Sequence, residues 1–365
     1  MIGAGPIGCR VSELVSRRGF KTILIDKKED VGTPVQCTGL VSHRLKRIVT
    51  DLPDNVILNE LNSAKFYYDS DEFEIKSKKP FYVIDREKFD KFMFLKARQS
   101  GVEIKLQTEF KDFEIRRNSS IGKTTEGLII KEDSVFVNTD EGKLQTKLLV
   151  GADGPISTVA SKANLMRPSN ILTGVQTTVS GNFDVDSVEL HFSSDISPDF
   201  FGWVVPINSK KARIGLASKK DSLNRLKTFV NLRTDGNVNK SDVKPDVVGR
   251  INFGLMNRTS SERILTVGDA ACQVKPFSGG GVIYGLIGAG YCSNACIRAL
   301  TAGNFSHEYL QNEYDKKWKS HLKIPIKKGM IMRTLLSGSD EKMNLMLSMA
   351  KRFQFLVERL DVDIL

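Results

Sequence analysis

The stretch that decides the fold is residues 1–10, Met-Ile-Gly-Ala-Gly-Pro-Ile-Gly-Cys-Arg. Gly3, Gly5 and Gly8 form Gly-x-Gly-x-x-Gly, and a helical apolar pattern starts at Pro6. In a dinucleotide site the first glycine makes the tight turn, the second lets a pyrophosphate approach the backbone, and the third lets helix and strand pack closely. The pyrophosphate then rests on the helix N-terminus, among unpaired N–H groups at the positive dipole end. Gly3, Gly5, Ile7 and Gly8 are therefore candidate cofactor contacts. An acidic residue about 20 positions further on is expected to hold a ribose hydroxyl. Thr22-Ile23-Leu24-Ile25-Asp26 reads as a buried parallel strand that ends in such an acid, Asp26. The strand feeding a loop of this kind normally has about five or six residues, yet only Met1 and Ile2 precede Gly3. Either the natural chain begins further upstream or the fold lacks most of its central strand; the former is the expectation.

At 365 residues the chain can hold two domains, or one large domain with an insertion, and its 40% hydrophobic content suffices for a core. The net charge of +11 points to an anionic partner such as a phospholipid surface, a phosphorylated substrate or an acidic redox protein. General use of lysine is the plainer explanation. No nucleic-acid reading motif accompanies the charge, so nucleic acid is not an expected partner. Cys9, Cys37, Cys272, Cys292 and Cys296 are odd in number and scattered, which argues for a reducing cytoplasm. The four histidines show no metal-ligand spacing, so no metal is expected, and no signal peptide is expected either. Residues 282–302 are apolar and long enough to span a membrane. They contain Asn294 and Arg298 and follow a glycine-rich loop, which makes a buried core helix the better reading.

Taken in order, the pattern predicts a helix over 6–18, a strand to Asp26, a Gly/Pro-rich loop and a short helix near 43–49. Antiparallel strands follow over 63–84. Asp85 reads as the N-cap of a helix over 86–99. Residues 102–106 form the next parallel strand and a small β meander covers 110–149. A second antiparallel region spans about 170–218, a helix 220–233 and a buried strand 264–267. The helix 282–302 and a helical tail to Leu365 complete the chain. Parallel β-α-β pieces thus alternate with antiparallel insertions. The reading is an α/β fold whose dinucleotide domain (1–62, 86–162 and 252–303) is interlaced with a sheet domain (63–85 and 163–251), followed by a helical region at 304–365.

Four further stretches carry chemistry: Asp85-Arg86 with Asp90, Asp153-Gly154, Gly268-Asp269, and residues 274–281, Val-Lys-Pro-Phe-Ser-Gly-Gly-Gly. In this order, and over essentially the whole chain, the set resembles the flavoprotein hydroxylase-like fold. That resemblance implies an FAD cofactor rather than NAD. On it, Asp269 at a strand end accepts from a ribityl or ribose hydroxyl, and Arg86 offers a fork to the pyrophosphate. The loop Pro276 to Gly281, with Val282 opening the helix, lets bare backbone approach the flavin and stabilise negative charge on the reduced ring. Phe110 lies where the fold contacts the adenine through backbone. Plain turn glycines and a surface salt bridge are the bland readings of the same residues.

Within that fold, three stretches are similar to the geranylgeranyl reductase family. Pro34-Val35-Gln36-Cys37-Thr38-Gly39 resembles the family's Pro-Val-x-Cys-Gly loop beside the isoalloxazine, one residue short. Phe201-Gly202-Trp203-Val204-Val205-Pro206, followed by Arg213-Ile214-Gly215, is similar to its substrate-domain motif, with Phe201 in place of Tyr and Val205 in place of Phe. Residues 274–281 match its Val-x-Pro-x-Ser-Gly-Gly-Gly. The resemblance implies saturation of isoprenoid double bonds by reduced FAD, with geranylgeranyl chains on glycerophospholipids as the substrate in the archaeal lipid branch. It places Cys37, Thr38 and Gly39 at the flavin, with Cys37 or bound water as the proton source. It also places Phe201 and Trp203 along an apolar tunnel, though core packing explains these aromatics equally well.

There is no second nucleotide fingerprint: residues 285–290, Gly-Leu-Ile-Gly-Ala-Gly, fall inside a helix and read as close packing. Electrons would then come from transiently bound NAD(P)H or from a ferredoxin-like protein. Residues 316–328 set six lysines around Trp318, Leu322, Ile324 and Ile326, a pattern suited to peripheral contact with the inner face of the cell membrane. A solvated helix face is the alternative. Two rival functions share the fold: an aromatic hydroxylase using NAD(P)H and oxygen, and a flavoprotein passing electrons to a quinone.

Overall fold

A computed structural model of the chain describes residues 1–336, apart from 69–70, 118–120, 125–126, 131–132, 167 and 169. The expected helical tail beyond 336 lies outside the described residues.

The parallel sheet of the nucleotide domain is centred on Ile2, which bridges in parallel to both Ile25 and Gly151. Its amide donates to Val150 O at 2.9 Å, its carbonyl accepts from Ala152 N at 2.7 Å, and Gly3 N donates to Ile25 O at 2.8 Å. Ile2 therefore holds the central position of this sheet. Outward on one side lie Ile23–Ile25 and Glu103–Lys105; on the other lie Leu149–Gly151 and Ile264–Thr266, all parallel. Strands this short serve because helices and a meander cover both faces, so apolar residues can point either way. The helices Pro6–Ser16 and Val282–Ala302 pack on one face. The meander Phe110–Arg116, Ser134–Thr139 and Gly142–Thr146 covers the other, burying Ile2, Ile25, Phe110 and Val135 together.

Residues 285–290 pack closely, as the sequence suggests. A side chain at Gly285 would strike Ile7 of the first helix, and one at Gly288 would strike Gln273. Among the described residues no helix is long and apolar enough to cross a membrane.

The second domain is an eight-stranded sheet. Its order is Val247–Phe253, Asn170–Ser180, Lys211–Ser218, Gly202–Asn208, Ser187–Phe192, Ile57–Tyr68, Asp71–Ile84, Leu40–Ser42. It takes in more of the chain than 63–85 and 163–251, reaching back to Leu40 and Ile57. It is also not wholly antiparallel: the 187–192 strand runs parallel to the 57–68 strand. Helix Ser222–Arg233 covers its back face through Leu226, Phe229 and Val230. Arg233 there makes a two-pronged pair with Glu189, at 2.7 and 2.6 Å.

Asp85 caps the helix Arg86–Gln99, accepting from Lys88 N, as its place in the sequence predicts. The last described segment begins at His307, passes through a π-helical turn at Gln311–Asp315, and continues as the helix Lys316–Leu336. The wide turn directs Tyr314 and Asp315 inward. The buried Asp315 carboxylate accepts from Thr259 N at 2.9 Å and from the hydroxyls of Thr259 and Ser260. Tyr314 donates to Thr266 O at 2.6 Å, and Trp318 Nε1 to Thr259 Oγ1 at 2.9 Å. This corrects one expectation: Trp318, Leu322 and Ile326 are buried against the nucleotide domain, so the tryptophan is not an interfacial anchor.

Burial works to raise the pKa of Glu189, but Arg233 and His191 outweigh it and hold the carboxyl at about 2. A depressed carboxyl adds stability that is complete above the unfolded-state value and is lost as pH falls through the folded one. Glu189→Gln is expected to lower stability by about 3 kcal/mol at neutral pH, and the deficit to shrink as pH falls from about 4.5 towards 2. Urea midpoints of both proteins across that range measure it; a gap independent of pH contradicts it.

Candidate active site

One cavity of about 310 Å³ lies between the two sheets. Its walls differ. The charged residues lining it are Lys28, Arg86, Asp90 and Asp269 from the nucleotide side and Arg250 alone from the large sheet. The side of the large sheet otherwise contributes mainly apolar and aromatic side chains, among them Val188, Leu190, Phe201 and Trp203, with Gln176 and Asn252 as its uncharged polar members.

On the nucleotide side, the glycines of the fingerprint have three distinct surroundings. A Cβ at Gly3 would strike the Ala152 backbone, and one at Gly8 would strike Gly3 O. These two residues therefore let helix and strand ends touch, and neither lines the cavity. A Cβ at Gly5 would meet nothing within 4 Å, because Gly5 faces the cavity, as does Ile7. Asp26 accepts from Ala4 N at 2.7 Å and Lys28 N at 2.9 Å, so it braces the glycine turn from outside the wall.

Arg86 forks onto Asp90, its Nε and Nη2 lying 3.1 and 3.0 Å from Oδ1. Burial opposes its charge, but Asp90 and Cys37 overcome this and raise its pKa. Asp269 is half-buried at the cavity wall, and its loss of contact with water raises its pKa against the pull of Arg86. It sits beside Gly281, where any side chain would meet its carboxylate at 2.5 Å. Gly280, Gly281 and Val282 line the cavity beside it, and the hydroxyl of Ser278 in the same loop is buried with no hydrogen-bond partner.

Cys37, Thr38 and Gly39 also line the cavity. Their loop turns on itself, with Gly39 N donating to Cys37 Sγ at 3.3 Å. Arg213, from the large sheet, pins it by donating to Thr38 O and to Ile84 O at 3.0 Å.

Besides Gly3, Gly8 and Asp26, three further expected contacts do not line this cavity. Asp153 caps the helix Thr158–Lys162, accepting from Ser157 Oγ and Val159 N, while its neighbour Gly154 does line the cavity. Pro276 packs where the C-terminal helix crosses at Gly329. The Phe110 side chain is buried under the sheet with Ile2 and Ile25, so any contact it makes with a nucleotide falls to its backbone, as the sequence reading has it.

The apolar wall is a cluster of rings. Phe200 and Phe201 stack at 4.1 Å, and Trp203 meets both edge-on at 6.5 and 6.3 Å. Trp203 lies opposite Gly215 in the sheet, and a Cβ there would be 2.5 Å from the indole. The glycine lets the ring lie against the neighbouring strand, and Gln176 Oε1 accepts from the indole N–H at 3.1 Å. Phe201 and Trp203 are thus both packed and cavity-lining.

Sequence reasoning passed over Gln176, Phe200 and Arg333. Phe200 adjoins a quoted motif, but nothing in the local pattern marks Gln176. Arg333 comes from the C-terminal helix and lies over Phe253 at 3.8 Å, and burial brings its pKa down to about 10. Met330 and Met332 pack on the same cluster, so this helix backs the aromatic wall from outside.

Residues 1–289 match the family described as FAD binding domain. The chain is 28% identical over 352 residues to an uncharacterized protein of Methanocaldococcus jannaschii, covering 92% of this chain and 83% of the relative. It is 24% identical over 375 residues to the digeranylgeranylglycerophospholipid reductase of Methanosarcina acetivorans, covering 97% and 88%. Its fold is similar to that of a geranylgeranyl bacteriochlorophyll reductase-like protein of Thermoplasma acidophilum. The TM-score is 0.79 at 19% identity, over 100% of this chain and 90% of that one. The wall fits an FAD: open space faces Gly5 and Gly154, bare backbone runs at Gly280–Gly281, and the Ser278 hydroxyl lacks a partner.

Gly5→Ala is expected to fold normally while its methyl group narrows the passage, weakening flavin binding about tenfold. Gly8→Ala is expected to fail to fold, since its methyl group meets a carbonyl. Thermal midpoints and bound flavin per chain separate the two; a Gly5→Ala protein with unaltered flavin affinity contradicts the assignment of that wall.

Proposed function

The chain belongs to the FAD binding domain family, and from that premise we propose that this FAD-dependent oxidoreductase is a geranylgeranyl reductase, saturating carbon–carbon double bonds of geranylgeranyl chains carried on archaeal ether phospholipids, a reading supported by its similarity to a digeranylgeranylglycerophospholipid reductase. The observation that carries this reading is the asymmetry of the cavity. A wall of Phe200, Phe201, Trp203, Val188 and Leu190 faces a wall of glycines, Arg86 and Asp269. An isoprenoid chain has only apolar surface to offer, and such a wall binds it without stranding a polar group.

Bound reduced FAD supplies the hydride for one alkene carbon. The residues of the chain hold and orient. Gly5 and the N-terminus of the first helix would receive the pyrophosphate, Arg86, its charge steadied by Asp90, would bind it, and Gly280, Gly281 and Val282 would present backbone to the ring. Trp203, fixed by Gln176 and Gly215, sets the depth to which a chain enters. The second alkene carbon needs a proton, and Cys37, in the loop pinned by Arg213, is the side chain proposed to deliver it. NAD(P)H binding transiently, or a ferredoxin-like protein, is the proposed source of electrons.

Anaerobic incubation of the dithionite-reduced protein with unsaturated ether lipid, read by mass spectrometry, is expected to show products heavier by successive two-hydrogen increments. No such gain, or turnover that requires oxygen, overturns the proposal. Trp203→Ala is expected to retain flavin and lose about 100-fold in kcat/KM, because it frees the chain from its register.

A further inference from the structure

The C-terminal helix Lys316–Leu336 has two faces with different tasks. Trp318, Leu322 and Ile326 bind it to the nucleotide domain, and Met330 and Met332 reach the aromatic wall. On the opposite face, Ile324 and Ile331 are each 63% exposed. They stand seven residues apart, two helical turns, so they share one stripe. Lys327 and Lys328 lie between them, and Lys316 and Lys323 extend the same side, all four exposed. Among the described residues none of these four lysines has a carboxylate within ion-pair distance, whereas Lys317 is paired with Glu313 and Lys319 lies near Asp315. The sequence contains no Asp or Glu from 316 to 336.

We propose that this outer face docks the protein on an anionic lipid bilayer, with Ile324 and Ile331 entering the acyl boundary and Lys316, Lys323, Lys327 and Lys328 meeting the phosphates. The isoleucines favour lipid over an acidic protein. Protruding apolar side chains at the centre of a basic stripe gain from a hydrocarbon boundary, while a purely electrostatic partner leaves them unused. The location adds a second reason, which rests on the function proposed above: Ile331 points outward from between Met330 and Met332, so the bilayer and the aromatic wall are separated by one helix. A lipid chain would leave the membrane beside the cavity that receives it.

The test is co-sedimentation of the full-length flavin-loaded protein with vesicles of phosphatidylglycerol in phosphatidylcholine, against phosphatidylcholine alone. Binding is expected only with the anionic lipid and to weaken as salt rises. Each lysine removed is expected to weaken it about fivefold, as in Lys323→Ala/Lys327→Ala. Ile324→Ser/Ile331→Ser is expected to weaken it at every salt concentration. Unaltered thermal midpoints and flavin content show that the variants are folded. Failure of the wild type to sediment with anionic vesicles, the result if the lysines serve an acidic protein instead, overturns the proposal, and so does undiminished sedimentation of both variants. Reduction of detergent-dispersed prenyl lipid is measured in parallel. Its absence counts against the proposed reaction and leaves the vesicle result standing.

Discussion

The structure depends on a close passage of main chain over main chain at its first turn. Ile2 is paired on both sides, so the sheet runs unbroken from Glu103–Lys105 to Ile264–Thr266. The helix that follows leaves so tightly that Gly8 meets the carbonyl of Gly3. This contact fixes the axis of the helix and aims its N-terminus into the cavity. The later pieces of the domain are placed relative to it: Val282–Ala302 packs on the same helix because Gly285 admits Ile7, and that brings Gly280–Gly281 to the cavity wall beside Asp269.

A second junction makes two domains into one site. Arg213 projects from the large sheet and donates to main-chain carbonyls of Thr38 and Ile84. Carbonyl acceptors leave its charge unneutralised, and burial accordingly lowers its pKa. Arg86, by contrast, has Asp90 as a full counter-charge and its pKa rises. The two guanidiniums flank the Cys37 loop with different duties: one positions a loop by geometry, the other presents a steadied charge to the cavity.

The nucleotide domain is legible in the sequence because its rules are local. Glycine spacing, an acid at a strand end and an N-cap before Arg86 each act within a few residues. Even so, Asp26 is engaged by the Ala4 amide and Asp153 by the Ser157 hydroxyl, donors that spacing alone does not distinguish from ligand contacts. The limits of the large sheet were less legible. Leu40–Ser42 is three residues long and joins only through its partner Phe81–Val83, a pairing with no local signal. Trp318 illustrates the same limit: lysines around a tryptophan describe a surface, yet the π-helical turn ahead of it rotates the ring inward to Thr259.

The aromatic wall shows why packing and binding were hard to separate. Trp203 is 9% exposed and satisfies its only donor within the protein, so by burial it is a core residue. It nevertheless faces the cavity, because Gly215 removes the side chain that would otherwise stand against the ring. A binding wall for an apolar chain must be built as a core is built. It needs rings locked by neighbours, since a loose aromatic would collapse into the space it is meant to enclose. The sequence signal for such a wall is therefore the pair, an aromatic on one strand and a glycine opposite it on the next, rather than the aromatic alone.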